Sequence, residues 1–306
     1  MTDSSVLAEA FPTPPAPQAT GNKSSKQSIN LVKLKTTCQV PDYKYKSNFP
    51  PDQIEELRRC MALERANSSE EDKEFFTEDF KRLMKDDWLV TRFLLRGFKA
   101  SLSSCDENTD EATRKSLGYK KTLELVEVCG TFRKEYNVNL TTKIDGFPCE
   151  WIEAHGIFNY KPDLRGNPTM WLKIKLFKPK EISDDKRRFE FKRYFLYWAE
   201  QCDIDLFNRP GNCVCAIWDM TNATFENFDL EFISWMIKMS KLGPKFINYV
   251  IIYNLPWFLN TTFKLMANTF LSNGNHVVKF AYGNEIINFI AKENLPEYIF
   301  DQLNNK

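Results

Sequence analysis

Glycine is scarce and widely spaced in this chain of 306 residues. No two of its eleven glycines stand closer than nine residues apart. A dinucleotide GxGxxG loop, a P-loop and a GxSxG nucleophile elbow all need two glycines closer together than that. All three sites are therefore excluded.

Histidine is almost absent, since His155 and His276 are the only two. They stand too far apart for an HExxH zinc motif, and any Cys/His or Ser/His site would depend on one of them. Cys213 and Cys215 share one face of an expected strand, but no second ligand pair completes a zinc site. We interpret both as small buried hydrophobic residues. The sequence predicts no metal, no cofactor and no enzymatic activity.

Long apolar runs and CxxC pairs are also missing. No stretch approaches the roughly 18 apolar residues that a spanning helix needs, and the first residues carry Asp3 and Glu9 with no apolar leader. The eight cysteines are scattered, which is typical of reduced thiols in a cytosol-like compartment. We expect a cytoplasmic protein without disulfides.

Charge of one sign does not dominate either. Lysine and arginine total 42, aspartate and glutamate total 41, and the formal net charge is +1. Attraction to nucleic acid or to an anionic membrane would therefore require a local patch, and we expect no nucleic-acid partner. A hydrophobic content of 42% suffices for one large core or two modest ones.

The chain divides into three parts by composition and period. Residues 1–48 are rich in proline, serine and lysine, which predicts a disordered tail. From 49 to 136 the apolar residues recur at helical spacing, as at Trp88, Leu89 and Phe93. The sequence predicts a small all-helical N-terminal domain there, and a second domain over 145–300.

The second domain shows the periods of strands alternating with helices. Residues 170–176 alternate in a way that predicts a half-buried strand, with Lys173 and Lys175 on its solvated face. Continuous apolar runs at 213–218 and 247–253 predict parallel strands covered on both faces. Between them, a helix capped by Asp229 and stopped at Gly243 makes a crossover. We predict an α/β fold with a mainly parallel sheet covered by helices.

The segment that follows the second of these strands is unusually apolar. Asn254 and Pro256 are expected to open a helix over 256–271 that has only a narrow polar edge. Such a helix must be buried, lie in a membrane surface or cover a cavity. It follows a parallel strand, at the edge where open α/β sheets bind ligands.

Five motifs stand in a recognisable order: Trp88-Leu89-Val90-Thr91-Arg92-Phe93-Leu94-Leu95-Arg96, Trp218-Asp219-Met220, Asn254-Leu255-Pro256-Trp257, Val278-Lys279-Phe280 and Asn294-Leu295-Pro296-Glu297. In order and spacing, over roughly 52–300, they resemble the CRAL-TRIO lipid-binding family, and most closely its members that also carry a motile sperm domain. The resemblance implies a CRAL-TRIO N-terminal domain over 49–136 and a lipid-binding domain over 145–300. It also implies one lipid in an apolar pocket, closed by a mobile gate helix at 256–271.

Site residues follow from this resemblance together with the strand pattern. The predicted pocket residues are Val214, Ala216, Trp218, Val250 and Ile252. The predicted gate residues are Phe258, Phe263, Met266 and Phe270. Lys279, a lone cation in an apolar run, is a candidate for the lipid headgroup together with His276, and snorkelling is the alternative for Lys279.

A docking motif is a further candidate. Residues Glu74, Phe75, Phe76 and Thr77 resemble the two-phenylalanine acidic motif that binds motile sperm domain proteins of the endoplasmic reticulum. The alternative, which we prefer, is that Thr77 caps a helix whose N-terminal dipole is stabilised by Glu78 and Asp79.

Two functions therefore remain open. The first is binding, and transfer, of a single amphipathic or hydrophobic lipid by a cytoplasmic protein that associates transiently with intracellular membranes. The second is a non-catalytic interaction module that docks a protein partner or a membrane surface without carrying lipid.

Overall fold

The computed structural model describes residues 49–304, apart from 107, 142, 183, 209–212, 245–246, 262 and 264–276. The described residues belong to one compact unit, Cys38–Lys306. The predicted tail over 1–48 lies outside them. The α-helices of the described residues are α1 (Pro51–Ala66), α2 (Glu70–Phe75), α3 (Thr77–Lys85), α4 (Asp87–Leu102), α5 (Glu111–Glu135), α6 (Cys149–Ala154), α7 (Asp185–Asn208), α8 (Leu230–Leu242) and α9 (Glu297–Asn304). The strands are β1 (Ile157–Tyr160), β2 (Thr169–Lys173), β3 (Val214–Asp219), β4 (Ile247–Tyr253) and β5 (Val277–Ala281).

Side-chain caps begin three of the first five helices. Ser69, Asp86 and Asp110 each accept a hydrogen bond from a backbone N–H in the first turn of α2, α4 and α5, respectively. These bonds satisfy N–H groups that have no partner within the helix. The apolar faces of the helices then pack into one core, which includes Leu57 and Leu94.

Helices α4 and α5 approach most closely at Gly97. A Cβ at this position would lie 2.0 Å from Thr122 Oγ1 and 2.6 Å from Thr122 Cα. Glycine is therefore required for the approach, because any side chain would push the helices apart. The buried Thr122 hydroxyl donates to the Gly118 carbonyl at 2.8 Å, so the contact leaves that hydroxyl satisfied.

Six charged side chains join the first five helices to α7. This charge network consists of Asp79, Arg82, Arg92, Arg133, Glu200 and Asp203. Asp203 is its centre, with carboxylate oxygens 2.6 Å from both Arg82 Nη2 and Arg92 Nη1. Burial alone would raise the pKa of Asp203, but the two arginines lower it to about 2. Asp203 is therefore ionised at neutral pH.

The sheet has the order β1-β2-β3-β4-β5. Strand β1 is antiparallel to β2, and the other neighbouring pairs are parallel. Helix α8 connects β3 to the adjacent parallel β4, and Asp229 caps it by accepting from the N–H groups of Glu231 and Phe232. The predicted α/β class with a mainly parallel sheet is confirmed, and so is the Asp229 cap.

The prediction for residues 170–176 is wrong in two respects. Strand β2 ends at Lys173, where a 3-10 turn (Ile174–Leu176) begins, and its first four residues are all buried. Trp171 stacks on Phe158 with ring centroids 6.3 Å apart, on the face that the C-terminal segment covers. That cover comes from residues more than 100 positions away, so the local pattern of β2 does not reveal it.

Lys173 also departs from its predicted place on a solvated face. Its Nζ lies 4.2 Å from the ring centroid of Tyr298 and 5.3 Å from that of Phe158. Burial lowers the pKa of Lys173, and the neighbouring Asp219 charge acts in the opposite direction. Lys173 thus joins the C-terminal segment to the sheet through cation–π contacts.

Among the described residues, no helix is both long and apolar enough to cross a bilayer.

The charge network is expected to contribute to the stability of the protein. Changing Asp203 to asparagine leaves Arg92, which is 1% exposed, without its carboxylate partner. We expect a loss of about 3–5 kcal/mol in the free energy of unfolding at pH 7, the range for breaking a buried ion pair. Urea unfolding followed by circular dichroism measures it. The control is Glu226→Gln at an exposed ion pair, which should change stability by about 0.5 kcal/mol or less.

The pH dependence has a defined sign. The folded-state pKa of Asp203 is lowered, so its stabilisation is complete above the unfolded pKa of about 4. It is lost as the pH falls from there towards about 2. The native chain should lose stability over that interval more steeply than Asp203→Asn, and parallel pH curves would contradict the assignment.

Candidate functional site

The five predicted pocket residues lie together on one face of the sheet. Val214, Ala216 and Trp218 alternate along β3, and Ala216 and Trp218 pair in register with Val250 and Ile252 of β4. All except the half-buried Val250 are at most 8% exposed. We call this surface the pocket face. Its five residues are apolar apart from the indole N–H of Trp218, so it offers a ligand mainly apolar contact.

Helices α7 and α8 pack over the pocket face with aromatic side chains. Phe232 and Trp235 of α8 stack on each other with ring centroids 5.3 Å apart, and both contact Phe195 of α7. The indole N–H of Trp235 donates to the Tyr136 hydroxyl at 3.0 Å, which satisfies a buried polar group. Phe195, Phe232 and Trp235 thus form one aromatic cluster over the pocket face.

The segment after β4 starts differently from its prediction. Asn254 does not open a helix, because its backbone is left-handed with a φ of 53°. Its amide group instead donates to Thr221 Oγ1 at 3.0 Å and accepts from the Gly283 N–H at 2.9 Å. A 3-10 turn (Trp257–Leu259) then follows Pro256. Asn254 thus ties three loops together at the carboxyl edge of the sheet.

One predicted gate residue reaches the pocket face. Phe263 is 3% exposed, and its ring centroid lies 6.0 Å from that of Trp218 in an edge-to-face arrangement. It also lies 6.4 Å from the ring of Phe228. The predicted gate residues Met266 and Phe270, and the headgroup candidate His276, lie outside the described residues.

Three exposed aromatic side chains form a patch beside Phe263. Trp257 is 86% exposed, Phe225 58% and Phe258 40%. Their rings form a chain, with centroids 5.7 Å apart between Phe225 and Phe258 and 6.0 Å apart between Trp257 and Phe258. We call this patch the aromatic edge. Sequence reasoning missed Phe225, because a phenylalanine in a short connection belongs to no periodic pattern.

Hydrogen bonds stabilise the connection that carries part of the aromatic edge. The Asn227 amide donates to the carbonyls of Lys175 and Phe177 at 3.0 and 2.8 Å. The connection that carries Phe225 is thereby attached to the turn after β2. These hydrogen bonds fix the position of the connection that places Phe225 in the exposed patch.

Lys279 does not lie on the pocket face. It pairs in register with Ile251, whose side chain is in the core on the opposite side of the sheet. Its neighbours Val278 and Phe280 contact the pocket-face core instead. Strand β5 is the last in the sheet order, so a ligand on the pocket face would meet Lys279 only around that edge.

Polar residues near the carboxyl edge have structural roles. Asp219 Oδ1 accepts from the Thr221 N–H at 3.0 Å, so this carboxylate stabilises the turn after β3. Cys213 and Cys215 are buried as predicted, and burial raises the pKa of the Cys215 thiol. Among the described residues, no three His, Cys, Asp or Glu side chains are grouped so that they could hold a metal ion.

The prediction that Thr77 caps a helix is wrong. Thr77 is the first residue of α3, and its hydroxyl donates back to the Lys73 carbonyl at 2.7 Å. The Phe75 carbonyl accepts from the Asn139 amide at 3.0 Å, and Phe75 and Phe76 are both half-buried. The candidate docking motif is therefore folded into α2 and α3.

A cavity of about 840 Å³ lies away from the pocket face, between the first five helices and α7 and α8. Its walls include Met61 and Phe80 on one side and Leu196 and Met239 on the other. Sequence reasoning did not find it, because each of these residues has the helical spacing of an ordinary core position. Gly130 also lines the cavity. It is the one sequence feature that hints at the cavity, because glycine destabilises a helix such as α5.

Comparison with known proteins agrees with the fold. Residues 154–299 match the CRAL/TRIO domain family. The crystal structure of Sfh5 superposes on this chain with a TM-score of 0.50 at 14% sequence identity, covering 78% of this chain and 84% of that chain. At that identity the likeness concerns the fold alone. Residues 154–299 are thus similar to a CRAL-TRIO domain, and the described sheet and helices have the CRAL-TRIO α/β fold.

Substitution of Asn254 is expected to lower the stability of the protein. Its left-handed backbone suits glycine and strains alanine, by about 1 kcal/mol. Both Asn254→Gly and Asn254→Ala lose the two side-chain hydrogen bonds, each contributing about 1 kcal/mol. Asn254→Ala should therefore be less stable than Asn254→Gly in urea unfolding, and equal or reversed stabilities would contradict the role given to this residue.

Proposed function

We propose that this chain binds one amphipathic or hydrophobic lipid on the pocket face and that the segment 256–271 acts as its gate. The observation that carries the proposal is the contact of Phe263 with Trp218, which joins the segment to the apolar strand face. Lipid binding is the general property of CRAL-TRIO domains, and the pocket residues supply apolar contact without any catalytic group. The proposal is binding, and transfer, without catalysis.

A gate is supported by the energetics of the segment. Phe263 is 3% exposed, so its side chain would be uncovered if the segment moved into water. Exposing apolar surface to water costs about 25 cal/mol per Å². The closed position over the pocket face avoids that loss, and so does contact with a bilayer during exchange. A lipid-loaded closed state and a membrane-bound open state are therefore the two states of the proposed cycle.

Transient membrane contact is proposed for the aromatic edge. Tryptophan is favoured at membrane–water interfaces because its ring is apolar and its N–H is polar. Trp257 and Phe258 begin the proposed gate, so an interface that binds them would also hold the segment away from the sheet. A cytoplasmic protein visiting intracellular membranes fits this cycle.

The second function, an interaction module without lipid, has one observation in its favour. A tryptophan at 86% exposure next to two exposed phenylalanines could bind a protein partner instead of a bilayer. The two functions differ in whether purified protein carries lipid. Native mass spectrometry of the chain isolated from cells separates them.

Two finer resemblances stay predictions. One is the likeness to the CRAL-TRIO half of motile sperm domain-containing protein 2. The other is docking of Glu74, Phe75, Phe76 and Thr77 on a motile sperm domain protein of the endoplasmic reticulum. In the structure this segment is part of α2 and α3, and the Asn139 amide donates to the Phe75 carbonyl.

The gate is tested with a matched pair of variants, Phe263→Asp and Trp257→Asp. A carboxylate at Phe263 is an unpaired charge against the pocket face, so the co-purified lipid should be lost. A carboxylate at the exposed Trp257 should leave retention nearly unchanged and weaken binding to vesicles. Lipid retention is measured by native mass spectrometry and vesicle binding by sedimentation.

Folding is checked in each variant by circular dichroism. If Phe263→Asp fails to fold, Phe263→Ala replaces it, and partial loss of lipid is then expected. A folded position-263 variant that retains lipid like the parent would show that the segment is not a gate. A parent chain that carries no lipid would favour the interaction module.

A further inference from the structure

The cavity between the first five helices and α7 and α8 is half open to solvent. At about 840 Å³ it lies within the 300–1,000 Å³ range of small-molecule sites. Its apolar wall is continuous with two separate cores. Met61 and Leu83 belong to the core of the first helices, and Leu196 and Met239 to the core above the pocket face. The cavity thus lies where two hydrophobic cores meet without filling the space between them.

The charges around the cavity limit what can occupy it. Seven acidic and five basic side chains line it. The deepest of these belong to the charge network, where Arg133 lies 2.8 Å from Asp79 and 2.9 Å from Glu200. Burial alone would lower the pKa of Arg133, but Glu200 and Asp79 raise it well above its usual value. An anionic headgroup would meet an excess of carboxylates, and a cation would compete with arginines already paired.

One polar atom beside the cavity has no partner among the described side chains. Arg82 lines the cavity and pairs with Glu200 and Asp203 through Nη1 and Nη2, whereas its Nε is buried without an acceptor. A buried donor without an acceptor is unfavourable. A neutral hydroxyl or carbonyl oxygen could accept this N–H without adding a charge to the network.

We propose that this cavity is a second ligand site, separate from the pocket face, for a neutral amphiphile with an apolar chain and a hydroxyl or ester group. The apolar body lies between Phe80, Val126 and Met239. The oxygen-bearing end faces Arg82 and the charge network. Both halves of the ligand thereby meet surfaces of their own kind.

The test uses the full chain and a monooleoylglycerol that carries a diazirine in its acyl chain. After irradiation, peptide mass spectrometry should locate cross-links in α1, α3 or α4, which line the cavity and not the pocket face. The matching diazirine oleic acid has the same chain with an anionic head, and it should label these helices about tenfold less at equal concentration. Cross-links confined to β3 and β4 would overturn the second site and support the pocket face.

Gly130→Leu blocks the cavity without a penalty to the helix. A Cβ at Gly130 would lie 3.5 Å from Phe76 Cζ, an ordinary contact, and leucine has the higher helix propensity. The rest of the leucine side chain would occupy the cavity, and labelling of α1, α3 and α4 should fall about tenfold. Gly146→Leu is the control, since a Cβ there meets nothing within 4 Å.

The labelling results of the parent and of the two variants either support or overturn the second site. Loss of cavity labelling in Gly130→Leu with labelling retained in Gly146→Leu supports it. Equal labelling in both variants, or no labelling of α1, α3 and α4 in the parent, overturns it. Lipid co-purified on the pocket face is measured separately by native mass spectrometry, so failure of the second site leaves the proposed function untouched.

Discussion

Strand β3 is buried at all six of its positions, and the rest of the domain depends on that constraint. A strand buried on both faces needs cover on both sides and hydrogen-bonded neighbours along both edges. Parallel β2 and β4 supply the edges. Helices α7 and α8 cover one face, and the segment from Ile286 to α9 covers the other. The proposed lipid site lies on the first of these faces, where Phe263 contacts Trp218.

The charge network imposes a second constraint, at the junction of the first helices with α7. Six ionised groups taken from water need strict geometry to be tolerated, and apolar side chains of similar volume would often be as stable. Such a junction specifies one relative placement of the helices. Arg82, Arg133 and Asp203 of this network also line the cavity between the two cores.

The elements that could be predicted are those whose pattern is local. Strands β3 and β4 were predictable from continuous apolar runs, and α8 from its Asp229 cap and Gly243 stop. Strand β2 was mistaken for half-buried because Trp171 is covered by residues far along the chain. Lys279 lies in an apolar run that forms β5, yet the face on which it lies depends on register with Ile251. The cavity was invisible for the same reason, since its walls come from helices separated by long stretches of sequence.

Burial changes abruptly along the proposed gate, and this is where structure and proposal meet. Trp257 is 86% exposed and Phe263, six residues later, is 3% exposed. A segment optimised only for stability would bury both rings, because each buried aromatic side chain contributes apolar area. Exposure of one end therefore has a cost that burial of the other end does not recover. In the proposed cycle, a membrane surface that binds Trp257 gains that area and moves the segment away from the sheet, which uncovers Trp218 beneath Phe263. In that proposed cycle, membrane contact and opening of the pocket face are coupled through a single short stretch of backbone, starting at the left-handed Asn254.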